Sequence, residues 1–143
     1  MKKYFLSALV SIAIAVTSFA DDGNKVSLGV LNDFAYQFKH ASDVKWTSEE
    51  NYAKATFKWN NISTEAVYTP EGDFIGSMQA ITLEKLPVNA KRKFAKKFHG
   101  YTVKQAIRFE GSKEKAYYIS AEDGKGSVIL KVEDNGDIST ARK

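Results

Sequence analysis

Leu86–Phe109, LPVNAKRKFAKKFHGYTVKQAIRF, decides how the rest of the chain is read. Pro87 suits the first position of a helix, where its missing N–H costs nothing and its φ is already helical. Val88, Ala90, Phe94, Ala95 and Phe98 recur at three- and four-residue spacing and gather on one face. Arg92, Lys93, Lys96 and Lys97 fall opposite, and Lys91 lies near enough to the apolar stripe that its ammonium must snorkel outward. Gly100 reads as the left-handed residue that stops the helix. Beyond it Tyr101, Val103, Ile107 and Phe109 alternate with Thr102, Lys104, Ala106 and Arg108, the period of a strand with one buried face. Gln105 interrupts the apolar side and is read as a position near a sheet edge.

Working outward, the same plan recurs earlier in the chain. Val30, Leu31, Phe34 and Phe38 make a helical stripe, and Val44-Lys45-Trp46 opens a strand. Ala53, Ala55, Phe57 and Trp59 alternate with Lys54, Thr56 and Lys58, and Asn60-Asn61 predicts a tight hairpin because Asn tolerates positive φ. Ile62–Thr69, the Pro70-Glu71-Gly72-Asp73 turn and Phe74–Thr82 complete a meander, with Gly76 a weak point or bulge. After Phe109, strands are expected at Lys115–Ala121, around Val128, Leu130 and Val132, and at Ile138–Thr140, separated by turns at 111–114, 122–126 and 134–137. Phe34-Ala35 with Phe38 overlays Phe94-Ala95 with Phe98, and Val44-Lys45 overlays Val103-Lys104. The predicted fold is therefore α+β: two tandem helix-plus-antiparallel-meander repeats, about 26–83 and 84–140, forming one sheet with two helices on one face.

The N-terminus places this domain in a compartment. Lys2-Lys3, the apolar run Phe5–Val16 and the small residues Ser18 and Ala20 make a secretory signal peptide over residues 1–20, with Asp21 opening a mature domain, 21–143. The run is too short for a comfortable membrane span, so no transmembrane segment is expected after signal removal. With no cysteine there is neither a lipid-attachment site nor a disulfide, and stability must come from packing, for which 13% aromatic residues supply large side chains. A soluble periplasmic or secreted bacterial protein is the expectation.

Basicity is local. The chain carries 21 basic and 17 acidic residues, and removal of Lys2 and Lys3 leaves 19 against 17. Yet every formal charge from Lys85 to Arg108 is positive. Lys91–Lys93 lie early in their helix, where its dipole gives cations no help. That face is either a solvated coat or an anion-binding surface for lipid phosphate, glycan or an acidic protein. Nucleic acid is disfavoured, because no stacking platform or binding motif accompanies the charge.

Asp43-Val44-Lys45-Trp46, Ala66-Val67-Tyr68 before Gly72-Asp73, Leu86-Pro87, Phe94-Ala95-Lys96-Lys97-Phe98 with Gly100-Tyr101, Tyr117-Tyr118 and Asp134-Asn135-Gly136-Asp137 together resemble the PepSY-like family of beta-lactamase-inhibitor-like exported proteins. The resemblance implies a fold like the beta-lactamase inhibitory protein and a role in binding or inhibiting a hydrolase, a peptidase or another envelope protein. It carries over no functional residues, because these motifs are structural punctuation.

Catalytic chemistry is not legible. His40 and His99 sit at matching helix ends, where a helix C-terminus accounts for them, with no further ligand motif nearby. Glu71-Gly72-Asp73 and Asp134-Asn135-Gly136-Asp137 lack the spacing and closing Glu of a calcium loop. No Ser lies in a nucleophile motif, and Asn61-Ile62-Ser63 reads as a turn. The expectation is thus a non-enzymatic module without catalytic, cofactor or metal residues. It would dock partners through aromatics on the sheet face opposite the helices (Trp46, Tyr68, Tyr117) or through the basic helix (Lys93, Lys96, Lys97). The bland alternative for the aromatics is that they pack in the core.

Overall fold

Ser27 opens the first helix: its hydroxyl oxygen accepts the Val30 N–H at 3.3 Å, and α1 runs Leu28–Gln37. The computed structural model describes residues 25–142, so the expected leader lies outside the described residues. After α1 come β1 (Ser42–Ser48), β2 (Ala53–Trp59), β3 (Ile62–Tyr68) and β4 (Phe74–Ala80). A 3-10 turn at Leu83–Lys85 leads to α2 (Val88–Lys97), then β5 (Thr102–Gly111), β6 (Lys115–Asp123), β7 (Gly126–Val132) and β8 (Ile138–Arg142). Pro87 stands one position before the helix, as its N-cap.

Both helices end alike, with the Phe38 and Phe98 N–H groups donating to the Phe34 and Phe94 carbonyls at 2.9 and 2.8 Å. Gly100 is not the left-handed stop that was expected. Among the described residues the left-handed glycines are Gly72 and Gly136, in the β3–β4 and β7–β8 turns. α2 ends instead in a turn closed by the Tyr101 N–H on the Phe98 carbonyl at 3.0 Å. In the first half it is His40, at φ 68°, that takes the left-handed conformation.

The sheet holds eight antiparallel strands in sequence order, β1 to β8. Asn60 and Asn61, at φ 52° and 64°, form the predicted two-residue hairpin, whose paired positive φ values match the strand twist. Cross-strand partners share a face, so the row Phe57–Thr64–Gln79–Arg108–Tyr117 follows one side of the sheet from β2 to β6. Phe57 packs under α1 and Tyr117 against the α2 cluster, so both helices cover that same side.

Beneath α1, Val30, Phe34 and Phe38 pack on Trp46, Ala55, Phe57, Ala66 and Tyr68. Phe34 meets Trp46 and Phe57 edge-on, with centroids 5.2 and 4.8 Å apart. Beneath α2, Ala90 and Phe94 pack on Ala106, Ile119, Ala121, Val128, Leu130 and Val132. These cores are separate, and between them run the polar side chains of Thr64, Gln79 and Arg108, with Gln79 Nε2 donating to Thr64 Oγ1 at 3.0 Å.

A third cluster lies on the sheet face turned away from the helices: Val67 and Met78 from the first half, Ile107, Phe109, Ala116 and Tyr118 from the second. It is the apolar joint between the halves. Phe109 lies against two cross-strand glycines, Gly76 and Gly111, where a Cβ would stand 2.5 and 2.7 Å from its ring. Gly76 is a place of close approach, and the expected bulge lies beside it: Val67 pairs with Gly76 but Tyr68 with Phe74, which leaves Ile75 as the extra residue on β4.

Two expectations need correction. β5 is a central strand, and what interrupts its pattern is a register shift between Val103 and Gln105. The shift puts Tyr101 and Val103 in the α2 core while Ile107 and Phe109 join the opposite face. Nor do Trp46, Tyr68 and Tyr117 occupy the face opposite the helices: Trp46 and Tyr68 lie buried under α1, and Tyr117 packs against the α2 cluster.

Candidate anion-binding groove on the second helix

Burial of Ala90 and Phe94 fixes the roll of α2, and that roll turns its lysines outward. Its start is held by the β7–β8 turn, where Asn89 Nδ2 donates to the Asn135 carbonyl at 2.6 Å. Gly136 leaves the room for this, since a Cβ there would overlap the Asn89 amide. One helical turn later Lys93 Nζ donates to Asp137 Oδ1 at 3.0 Å. Four helical residues rise about 6 Å and two strand residues about 6.7 Å. The helix therefore keeps step with the chain as it enters β8, and Lys93 and Lys97 overhang that strand in succession.

Between α2 and β8 lies an open groove of about 590 Å³, lined by Lys93, Lys96, Lys97, Phe98, Asp137 and Ile138. The three lysines expected as a docking face are thus brought together, and Phe98 and Ile138 give their groove an apolar lining. Lys93 is occupied by Asp137, whose carboxyl is held below the usual range by that hydrogen bond and charge, with help from the Asn135 amide. Lys97 approaches the Phe98 ring, Nζ to centroid 5.8 Å. Lys96 has no ion pair among the described residues. A carboxylate or phosphate entering here would gain ammonium contacts, while apolar carbons beside it could lie on Phe98 and Ile138.

The aromatic set is placed otherwise. Tyr68 is fully buried, burial raises its hydroxyl far above the usual tyrosine range, and its Oη donates to Gln37 Oε1 at 3.3 Å. Trp46 lies 5.2 Å from Phe34, also in the core. Tyr117 is half-buried beneath the Arg108 guanidinium at 4.5 Å, which Asp134 holds from the other side at 2.6 Å. The structure thus brings Lys93, Lys96 and Lys97 to one site and does not bring the three aromatics to it. Phe98, Asp137 and Ile138 were missed as groove residues; Phe98 alone had a signal, its place at the edge of the apolar stripe next to Lys97.

Among the described residues no group of three His, Cys, Asp or Glu side chains is placed to hold a metal ion. No described helix is long and apolar enough to cross a membrane.

No protein-family model matches the chain, and no curated protein matches it in sequence. Solved structures do match in shape. A BLIP-like protein from Bacteroides fragilis superposes with a TM-score of 0.72 at 14% identity, over 82% of this chain and 88% of its own. A DUF2874 family protein from Bacteroides uniformis gives 0.72 at 16%, over 79% and 86%. A protein from Bacteroides eggerthii described as periplasmic gives 0.71 at 15%, over 80% and 88%. With eight antiparallel strands in sequence order and two helices on one side, the chain has the BLIP-like α+β fold.

Proposed function

We propose that this chain is an exported, non-enzymatic binding module of the bacterial envelope, which docks an acidic envelope or secreted protein, a hydrolase or peptidase among the candidates, through the α2 groove. The observation that carries the reading is the convergence of Lys93, Lys96 and Lys97 around one groove with Phe98 and Ile138 in its lining. Five cations within about two turns of helix repel one another, a modest folding cost that an anionic partner offsets. Residues 1–20 and the likeness to proteins described as periplasmic and BLIP-like support export and protein binding. In this reading the two helix-plus-meander repeats, and Trp46, Tyr68 and Tyr117 within them, act as the frame that holds the groove in place. A PepSY-like relationship is part of the same proposal.

A second reading sends anionic lipid or glycan to the same lysines, favoured by the exposure of Lys96 and Lys97. Purified wild type and the Lys93→Glu/Lys96→Glu/Lys97→Glu variant, offered an envelope extract at low and high salt, separate these readings. An acidic protein identified by mass spectrometry, retained by wild type at low salt and lost in the variant and at high salt, is the expected result. Retention unchanged by charge reversal removes the groove from consideration. Salt-sensitive binding to phosphatidylglycerol vesicles, with no protein retained, assigns the lysines to lipid.

A further inference from the structure

We propose that β8 is a docking edge: an extended acidic segment of the partner adds to the sheet antiparallel to β8, and its alternate side chains rise into the α2 groove. This rests on the groove reading above and names how the partner is held.

β8 is the last strand of the sheet and, among the described residues, pairs with β7 on one side only. The direction of its backbone groups follows from the hairpin. The Glu133 N–H donates to the Asp137 carbonyl at 2.9 Å, so Asp137 faces β7. Alternation then turns the N–H and C=O of Ile138 and Thr140 toward the open edge. Those residues belong to the helix side of the sheet, because Ile138 pairs with Val132 and Thr140 with Leu130, both in the α2 core. In an antiparallel addition, the partner residues that exchange hydrogen bonds with Ile138 and Thr140 share their face. The residues held by the backbone are therefore the ones presented to the groove.

What overhangs that edge selects the occupant. Lys93, Lys96 and Lys97 line the groove above β8, with Ile138 and Phe98 beneath and beside them. A strand with acids and an apolar residue at alternate positions is complementary to both. A basic strand meets like charge, and a neutral one leaves Lys96 and Lys97 without a carboxylate, since Asp137 already holds Lys93. Both edge strands carry a register shift, β1 between Ser42 and Lys45 and β8 just past Thr140, where Ile129 pairs with Arg142; the seat on β8 is therefore the regular stretch Ile138–Thr140, the part that the groove lysines lie beside.

The test uses the whole chain and the fluorescein-labelled heptapeptide Thr-Glu-Thr-Ile-Thr-Glu-Thr, whose Glu, Ile and Glu share one face of a strand, read by fluorescence anisotropy. Wild type should bind it. N-methylation of the Glu, Ile and Glu amides, which leaves every charge in place, should weaken binding about tenfold or more. Methylation of the two internal Thr amides should not. Thr140→Pro, which removes an edge-facing donor from an edge strand, should weaken the parent peptide to a similar degree with its circular dichroism unchanged. Lys96→Glu/Lys97→Glu should also lose the peptide. If both methylated peptides bind as the parent does, while charge reversal still abolishes binding, the strand addition is wrong and the cationic groove survives. If the parent peptide does not bind wild type, or binds regardless of charge reversal, strand addition and groove both fall. Self-association of wild type that Thr140→Pro abolishes would assign the edge to a second copy of this chain and overturn the proposal.

Discussion

Gly76 and Gly111 face each other across β4 and β5, and the Phe109 ring lies against both. A methyl group on Gly76 would stand 2.5 Å from Phe109 Cε2, 2.6 Å from Cζ and 3.1 Å from the Gly111 Cα. Ordinary carbon contacts are about 3.5–4.0 Å, so the ring must retreat by roughly 1 Å. It has nowhere to go on the Gly111 side, where there is no room even for a Cβ, and Phe109 is only 6% exposed. Overpacking of this kind costs about 1–3 kcal/mol, and the pinned ring argues for the upper end. Alanine regains about 0.5–1 kcal/mol by restricting the unfolded chain, which leaves a net loss of about 2 kcal/mol for Gly76→Ala. In urea, with a slope of about 2 kcal/mol/M, the midpoint should fall by about 1 M. The decisive measurement is the double-mutant cycle with Phe109→Ala. That change alone should cost about 3–5 kcal/mol, and Gly76→Ala added to it should cost close to nothing, because the methyl now enters the cavity. A Gly76→Ala penalty that persists in the Phe109→Ala background would show that backbone conformation, and not the ring, demands glycine there.

Other outcomes follow from the same geometry. Phe34→Ala and Phe94→Ala should each cost about 3–5 kcal/mol in denaturant melts. Phe34 should be the worse, because it touches Phe38, Trp46 and Phe57 while Phe94 stacks on Phe98 alone; equal losses would argue against aromatic packing as the source of the difference. The Arg108 hydrogen bond, followed by its charge, holds the Asp134 carboxyl below its usual range. Its stabilising contribution is therefore present above the unfolded-state pKa and is lost as pH falls through the depressed value. Asp134→Asn should be less stable than wild type near neutrality, with the gap closing as melts are taken to pH values below the ordinary aspartate range. N-terminal sequencing of exported protein should begin at Asp21, and a mature chain that retains Lys2 would remove the leader assignment.

Legibility varied with how local the physics was. Asn60-Asn61 needed only the backbone preferences of two adjacent residues, and both φ values came out positive. The helix phases needed only three- and four-residue spacing, and Phe34, Ala90 and Phe94 are buried as that spacing requires, while Val88 and Ala95, read into the same stripe, lie exposed at its margins. Strand faces were harder, because this sheet buries apolar residues on both sides. Val67 and Tyr68 are neighbours, each at most 2% exposed, yet they belong to clusters on opposite faces. Alternation cannot say which of two apolar faces a helix covers, so Trp46, Tyr68 and Tyr117 were assigned to the wrong one. The register shift after Val103 compounds this by exchanging faces within one strand. The groove depends on residues far apart in the chain, Lys93 on Asp137 and Asn89 on Asn135, which no local pattern can pair.

A sheet whose spatial order repeats its order in the chain has a consequence for how the protein is made. Each strand pairs with the one just synthesised, and the longest return in each half is a single helix laid back over its own meander. Within each meander the separations between paired residues stay short, and the long step is the β4–β5 pairing, where Gly76 meets Gly111 across the second helix. A chain delivered end first can close hairpin by hairpin as it emerges, and α1 finds its whole seat in β1–β4 without waiting for anything downstream. Only the contacts around Phe109 must wait for the second half, so their formation should mark the moment at which two independently assembled pieces become one cooperative unit.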